Sequence, residues 1–317
     1  MSNYKYIFPS IFERLHNAKS VKSKHLIALR ESKHYRLEKQ AVLIQGFKAL
    51  KELRDQGFEF KSLIATAKNK PFEDKEVKFP AKQVIQHPDS FPAKSYYLAN
   101  IDLTRKILGT ASRPGLHEIF AEIALPQHKI TIPGDRIVVF DKVNDYESLG
   151  TLIRTAKGLG WDSGIATSNI SDLYNDRTIR ASNCSSLTWP HEIIGFNHLL
   201  NFFKKHEITP VVAEVLPKDV QEAWSPDYGH FNTKKIKPDS GVWFWNFKDK
   251  KVQLPNKVAL VLSCEYHGVH ESLDNEIRVS VPLDPGVNSL NIASAGSIIM
   301  AELNRLFRQR AINKYQK

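Results

Sequence analysis

The chain has 317 residues, 42% of them hydrophobic and 25% charged, with 45 Lys and Arg against 34 Asp and Glu and a formal net charge of +11. That composition belongs to a globular protein of about two domains rather than a disordered tail, and no run approaches the ~18 uninterrupted apolar residues of a membrane helix. Two cysteines, Cys184 and Cys264, exclude a disulfide framework and a Cys-rich zinc site, while the basic surplus points to a polyanionic partner such as nucleic acid or to a solvated basic surface.

Residues 1–60 hold 12 Lys and Arg against 6 Asp and Glu, so much of the surplus lies at the start. Ile7, Ile11, Phe12 and Leu15 fall on one face of a short predicted helix, with Arg14 and Lys19 elsewhere. An amphipathic, acid-poor start of this kind is either a mitochondrial presequence or a basic arm. Residues 22–35 read as a helix with Leu26, Ile27 and Leu29 apolar. A buried strand follows at 41–44, Gly46 opens a helix carrying Phe47, Leu50 and Leu53, and further strands fall at 62–66 and 119–124. These make a small α/β unit. Pro126, Gln127, His128, Lys129, Pro133 and Gly134 then read as a linker.

The second half opens with an apolar strand at 136–141, a helix from about 148 to 159, and strands at 163–167, 210–215 and 258–263. Strands alternating with helices predict an α/β layer with a mostly parallel sheet and a ligand at the carboxyl ends of its strands. Between 224 and 255, Trp224, Tyr228, Phe231, Trp243, Phe244, Trp245 and Phe247 interleave with lysines. Such a segment either stacks bases and pairs phosphates or sets residues 242–245 as a buried strand on a solvated loop.

Three motifs carry the chemistry. In residues 145–156, a turn opens a helix in which Gly150 permits close approach and Arg154 projects near the anion-favouring start. Residues 262–268 put Glu265 just past an apolar strand, and residues 286–293 lead Ser289 and Asn291 into a last helix running to about Phe307. Singly, each is also an ordinary surface arginine, a helix cap or a turn.

In this order and spacing the three resemble the SpoU/TrmH family of RNA ribose 2′-O-methyltransferases, a branch of the SPOUT superfamily. Gly150 and Arg154 match the family's first motif, Glu265 and Gly268 its second, and Ser289, Leu290 and Asn291 its third. Residues 44–47 and 110–115 are similar to segments of its N-terminal substrate-binding module. Four positions depart: Ser148 stands where the family has Asn, Ser263-Cys264 where it has Gly-Asn, and Asn183 where a Gly follows the serine.

After the basic arm or presequence read over 1–19, the resemblance implies a small ribosomal-protein-like α/β RNA-binding domain over 20–125 and a trefoil-knotted parallel-sheet methyltransferase domain over 135–317. It implies S-adenosylmethionine as cofactor, no metal, a homodimer, and structured RNA as partner, ribosomal RNA before transfer RNA. Backbone at Leu262, Gly268, Val281 and Leu290 would hold the cofactor. Arg154 would act as base, or bind a phosphate and stabilise the alkoxide; a guanidinium stays protonated at physiological pH, which favours the second role. Glu265 would orient Arg154 or Asn291, and Ser289 and Asn291 would complete the polar site. Lys22, Lys24, Arg30 and Arg36 are the expected RNA contacts, and the cytoplasm or the mitochondrial matrix the expected compartment. Ser148 and Cys264 leave open a second class of function, a catalytically degenerate RNA-binding assembly factor.

Overall fold

The structure, a computed structural model, describes residues 8–67, 77–128, 133–215, 243–244, 254–263, 270–273, 276–281, 283–284 and 286–315. The chain divides into two compact units, one of Met1–Pro126 with Tyr174–Ile179, the other of Gln127–Leu173 with Arg180–Lys317. No helix among the described residues is long and apolar enough to cross a membrane.

In chain order, the first unit contains β1 (Phe12–Leu15), α1 (Val21–Glu31), α2 (Lys33–Lys39), β2 (Ala41–Gln45) and α3 (Phe47–Asp55). It continues with β3 (Phe60–Thr66), α4 (Ala81–Gln86), β4 (Tyr96–Ala99), α5 (Ile101–Leu108) and β5 (Ile119–Ala124). The five strands form one mixed sheet in the order β1-β4-β3-β5-β2, with β5 antiparallel to both neighbours. Leu26 and Leu29 of α1 and Leu103 and Ile107 of α5 pack with Leu43, Ile64 and Phe120 of the sheet.

Two expectations fail in this unit. Residues 12–15 are not the amphipathic helix of an arm or presequence: they form β1, parallel to β4, with Phe12 and Leu15 buried and the Phe12 ring 5.3 Å from that of Tyr96. The sheet edge supplies backbone partners that a lone short helix lacks. Residues 1–7, including Ile7, lie outside the described residues. The helix expected over 22–35 breaks at Ser32, whose extended backbone closes α1 and whose hydroxyl accepts from Tyr35 N–H at 3.2 Å, capping α2. Gly46 does open α3, with φ at 99°, where a side chain is strained.

From residue 136 the chain runs β6 (Arg136–Asp141), α6 (Tyr146–Gly158), β7 (Ser163–Ala166), α7 (Asp176–Ala181), α8 (Ser185–Thr188), β8 (His191–Ile193) and α9 (Phe196–His206). After these come β9 (Thr209–Ala213), β10 (Trp243–Phe244), β11 (Val258–Ser263), β12 (Ile277–Val279) and α10 (Ile292–Tyr315). Seven strands form a parallel sheet in the order β10-β12-β9-β11-β6-β7-β8. Val258 to Leu262 are all buried, the continuous apolar run of a strand covered on both faces. On one face Ile137, Val139, Val212 and Val261 pack with Leu199 and Phe203 of α9. On another, α10 meets α6 and β11 at Gly296, where a Cβ would stand 2.6 Å from Leu152 and 2.9 Å from Leu262. The last helix extends to Tyr315 rather than stopping near Phe307, and Asn304 within it accepts from Arg136 at 2.8 Å.

Of the aromatic segment, Trp243–Phe244 form the edge strand β10; residues 224–242 and 245–253 lie outside the described residues.

Candidate active site

Connections leave β6 toward β7 and leave β11 toward β12, so the sheet order reverses between the adjacent strands β6 and β11. A crevice outside the carboxyl ends of the strands is where such sheets bind ligands. A cavity of about 570 Å³ lies there. Asp145 and Ser148 reach it from the start of α6, Ala213 and Glu214 from the end of β9, Leu262 and Ser263 from β11, and Ser280, Val281 and Leu283 from the segment after β12. Ser289, Leu290, Asn291 and Ile292 close it at the start of α10.

Local chemistry fixes its polar side. Asp145 caps α6, its Oδ2 accepting from Ser148 N–H at 2.7 Å. Asn291 does the same for α10, Oδ1 accepting from Ala293 N–H at 2.8 Å. The other end of that amide, Nδ2, donates to Ser148 Oγ at 3.4 Å. The first and third motifs therefore meet through side chains that also start their helices. Behind them, buried Asp141 accepts from Thr167 Oγ1 at 2.8 Å and from Ser263 Oγ at 3.2 Å. Ser263, which replaces the family glycine, thus has a defined role: it tethers the end of β11 to the end of β6.

Of the residues expected at the site, Leu262, Val281, Ser289, Leu290 and Asn291 line one cavity. Arg154 does not line it. The arginine is exposed on α6, with Gly150 buried one turn before it. Cys264, Glu265 and Gly268 lie outside the described residues. Asp145 and Glu214 are cavity residues the motifs did not single out. Each had a signal: Asp145 stands where a helix cap belongs, and Glu214 follows an apolar strand as Glu265 does.

The expected RNA contacts of the first unit are corrected in part. Arg36 is buried, its Nη1 donating to the carbonyls of Leu29 at 2.6 Å and Arg30 at 2.8 Å, so it closes the last turn of α1. Arg30 donates to the carbonyls of Lys106 and Ile107, both at 2.9 Å, and thereby ties α1 to the end of α5. Both guanidinium groups cross-link helices, and Arg36, being buried, is not turned outward for RNA. Lys22 donates to Glu122 at 2.6 Å, Lys24 is exposed, and both border a groove shared with Arg14, His16, Tyr35 and Tyr97. Glu122 also accepts from His25 Nε2 at 2.9 Å and Ser62 Oγ at 2.9 Å. Burial alone would raise its pKa; hydrogen bonds from His25 and Lys22 outweigh this and hold it at about 2. Among the described residues no cluster of His, Cys, Asp or Glu is fit to hold a metal ion.

The comparisons agree with this architecture. An uncharacterised tRNA/rRNA methyltransferase of Mycobacterium tuberculosis is 24% identical over 221 residues, 66% of this chain and 66% of the relative, so the match spans just under two thirds of that protein. The mitochondrial rRNA methyltransferase 3 of Xenopus laevis is 25% identical over 88% of this chain and 73% of its own length. An rRNA methyltransferase of Sinorhizobium meliloti, solved with AdoMet bound, superposes with a TM-score of 0.69 at 18% identity, covering 93% of this chain and 98% of that one. The SpoU methyltransferase AviRb of Streptomyces viridochromogenes gives 0.65 at 16% identity over 92% of this chain and 100% of its own. These two share the α/β fold with its parallel sheet. Residues 135–301, the unit that carries the cavity and the joined first and third motifs, match the model of the SpoU rRNA Methylase family, and the chain belongs to that family.

Proposed function

We propose that the chain methylates the ribose 2′-hydroxyl of RNA, ribosomal RNA before transfer RNA, with S-adenosylmethionine as donor. One observation carries this reading: the Asn291–Ser148 hydrogen bond joins two motifs, 143 residues apart, at the rim of the 570 Å³ cavity. The cavity fits the donor. Its walls at Leu262, Leu283, Leu290 and Ile292 are apolar, as an adenine ring requires, and its rim is polar. Backbone at Leu262, Val281 and Leu290 would hold the donor, with Gly268 completing the set. When bound, the donor supplies a methyl on a sulfonium, an electrophile that a hydroxyl attacks in line.

The chain's part is then positioning and charge stabilisation, because a ribose hydroxyl is a weak nucleophile. Ser289 and Asn291 orient the hydroxyl. Arg154, exposed on α6, binds an RNA phosphate and stabilises the developing alkoxide, and Glu265 aligns Arg154 or Asn291. The first unit is the RNA-binding module, touching phosphates through Lys22 and Lys24 along the groove they share with Arg14. The methyltransferase unit is knotted and pairs with a second copy. The compartment is the cytoplasm or the mitochondrial matrix, the places that hold ribosomes.

Arg154→Ala separates the roles. The variant should bind S-adenosylmethionine as the wild type does by calorimetry and lose ~10²–10³ in single-turnover methyl transfer. Wild-type turnover by this variant refutes Arg154 as the catalytic residue.

A further inference from the structure

The cavity has a second polar pole at the end of β9. Glu214 lines it there, its backbone N–H bound to Val279 O at 3.1 Å and its Oε2 in an ion pair with Arg278, 3.1 Å from Nε. Arg278 is only 4% exposed, so a buried cation holds this carboxylate in one place. One strand, β11, separates β9 from β6, which sets the strands leading to the two poles about 10 Å apart. Leu262 of β11 lines the cavity as well.

We propose that Glu214 is a specificity residue that reads the 2′,3′-diol of the donor's ribose. The inference rests on the donor assigned under Proposed function. The methyl has to face the Ser148–Asn291 pole, where the RNA hydroxyl is received, so Glu214 faces a part of the donor remote from the methyl. Three such parts donate hydrogen bonds: the ribose diol, the adenine amine and the amino-acid tail with its ammonium; the apolar walls at Leu262, Leu283, Leu290 and Ile292 take the adenine, which leaves the diol and the ammonium. Charge decides between them. Arg278 already neutralises Glu214, and an ammonium brought to the pair would gain little attraction and meet the guanidinium's repulsion. A diol needs only acceptor atoms. An ionised carboxylate offers about four lone-pair sites, and the Arg278 contact leaves capacity for two adjacent hydroxyls. An acid at the carboxyl end of a strand is also a general solution for reading a nucleoside ribose in open α/β sheets.

The test is calorimetric binding to the full-length chain and needs no turnover. The probes are S-adenosylhomocysteine, 5′-methylthioadenosine, which lacks the amino-acid tail, and the 2′- and 3′-deoxy forms of the latter. Wild type should bind methylthioadenosine about tenfold more tightly than either deoxy form. Glu214→Gln should lose about tenfold toward S-adenosylhomocysteine and methylthioadenosine alike, and no longer distinguish the ribo from the deoxy probes. Equal wild-type affinity for ribo and deoxy probes overturns the inference whether or not the variant folds. So does a loss confined to S-adenosylhomocysteine, which would put Glu214 on the ammonium, and so does an equal loss on all probes. A wild type that binds none of the probes overturns the donor assignment itself, a failure distinct from these.

Discussion

Asn291 Nδ2 donates to Ser148 Oγ at 3.4 Å, joining the start of α10 to the first turn of α6. The family's asparagine at position 148 is gone, yet the smaller serine still meets its partner from the third motif. Asn291→Asp isolates this contact. The carboxylate keeps an acceptor for the cap on Ala293 N–H and removes the Nδ2 donor. Stability should change by less than about 0.5 kcal/mol by urea unfolding, and methyl transfer should fall about 10²-fold. Unchanged turnover would make the contact structural only.

Arg36 and Lys24 separate cross-links from contacts. Arg36→Ala removes two charge-assisted hydrogen bonds to the end of α1 and should cost about 2–3 kcal/mol in denaturant unfolding. Lys24→Ala should leave stability intact and make the slope of log affinity for RNA against log salt shallower by about 0.7–0.9. A slope unchanged in the lysine variant removes Lys24 from the RNA interface.

Acid should weaken the two units in different windows. In the second unit, burial pushes His191 from its ordinary 6.5 down to about 4. Its folded pKa is depressed, so its contribution is complete above about 6.5 and is lost as pH falls toward 4. In the first unit, Glu122 is held at about 2 against an ordinary 4.5. Its contribution is complete above 4.5 and lost as pH falls from there toward 2. Each is worth at most about 3 kcal/mol. Glu122→Gln should remove the lower loss and leave the upper one, as read by unfolding from neutral pH down to about 3. A variant that keeps both would show that Glu122 does not carry the charge stability of the first unit.

Asn183 and Cys184 lie consecutively in the left-handed region, at φ of 47° and 62°. Asparagine tolerates that region best after glycine, which explains how the chain forgoes the family's glycine at 183. Asn183→Gly should therefore raise stability by about 0.5 kcal/mol in thermal unfolding; a loss would mean that the asparagine side chain contributes more than its backbone costs.

The parallel sheet was legible because its strands are buried on both faces: runs such as residues 136–141 and 258–263 carry a signal that depends on nothing distant. The site was legible as spacing, since Ser289, Leu290 and Asn291 sit where a turn must feed a helix. What escaped depended on tertiary pairing. Phe12 and Leu15 fit a helical face as well as a strand until β4 supplies a ladder. Arg30 and Arg36 look like surface cations until the carbonyls they satisfy, at the ends of α5 and α1, are known. Glu214 carries its meaning only through Arg278, 64 residues on in sequence but beside it on β12, the strand paired with β9.

The most direct measurement is methyl transfer from S-adenosylmethionine labelled in its methyl group to purified ribosomal RNA, followed by alkaline hydrolysis. A methyl on the ribose 2′-oxygen blocks attack on the neighbouring phosphodiester, so ribose methylation leaves the label in alkali-resistant dinucleotides. Label in those dinucleotides with the wild type, and its loss with Arg154→Ala, is the predicted result. Label released as mononucleotides would place the methyl on a base, and no incorporation into unmethylated ribosomal or transfer RNA would leave an RNA-binding protein without transfer chemistry. Either contradicts ribose 2′-O-methylation.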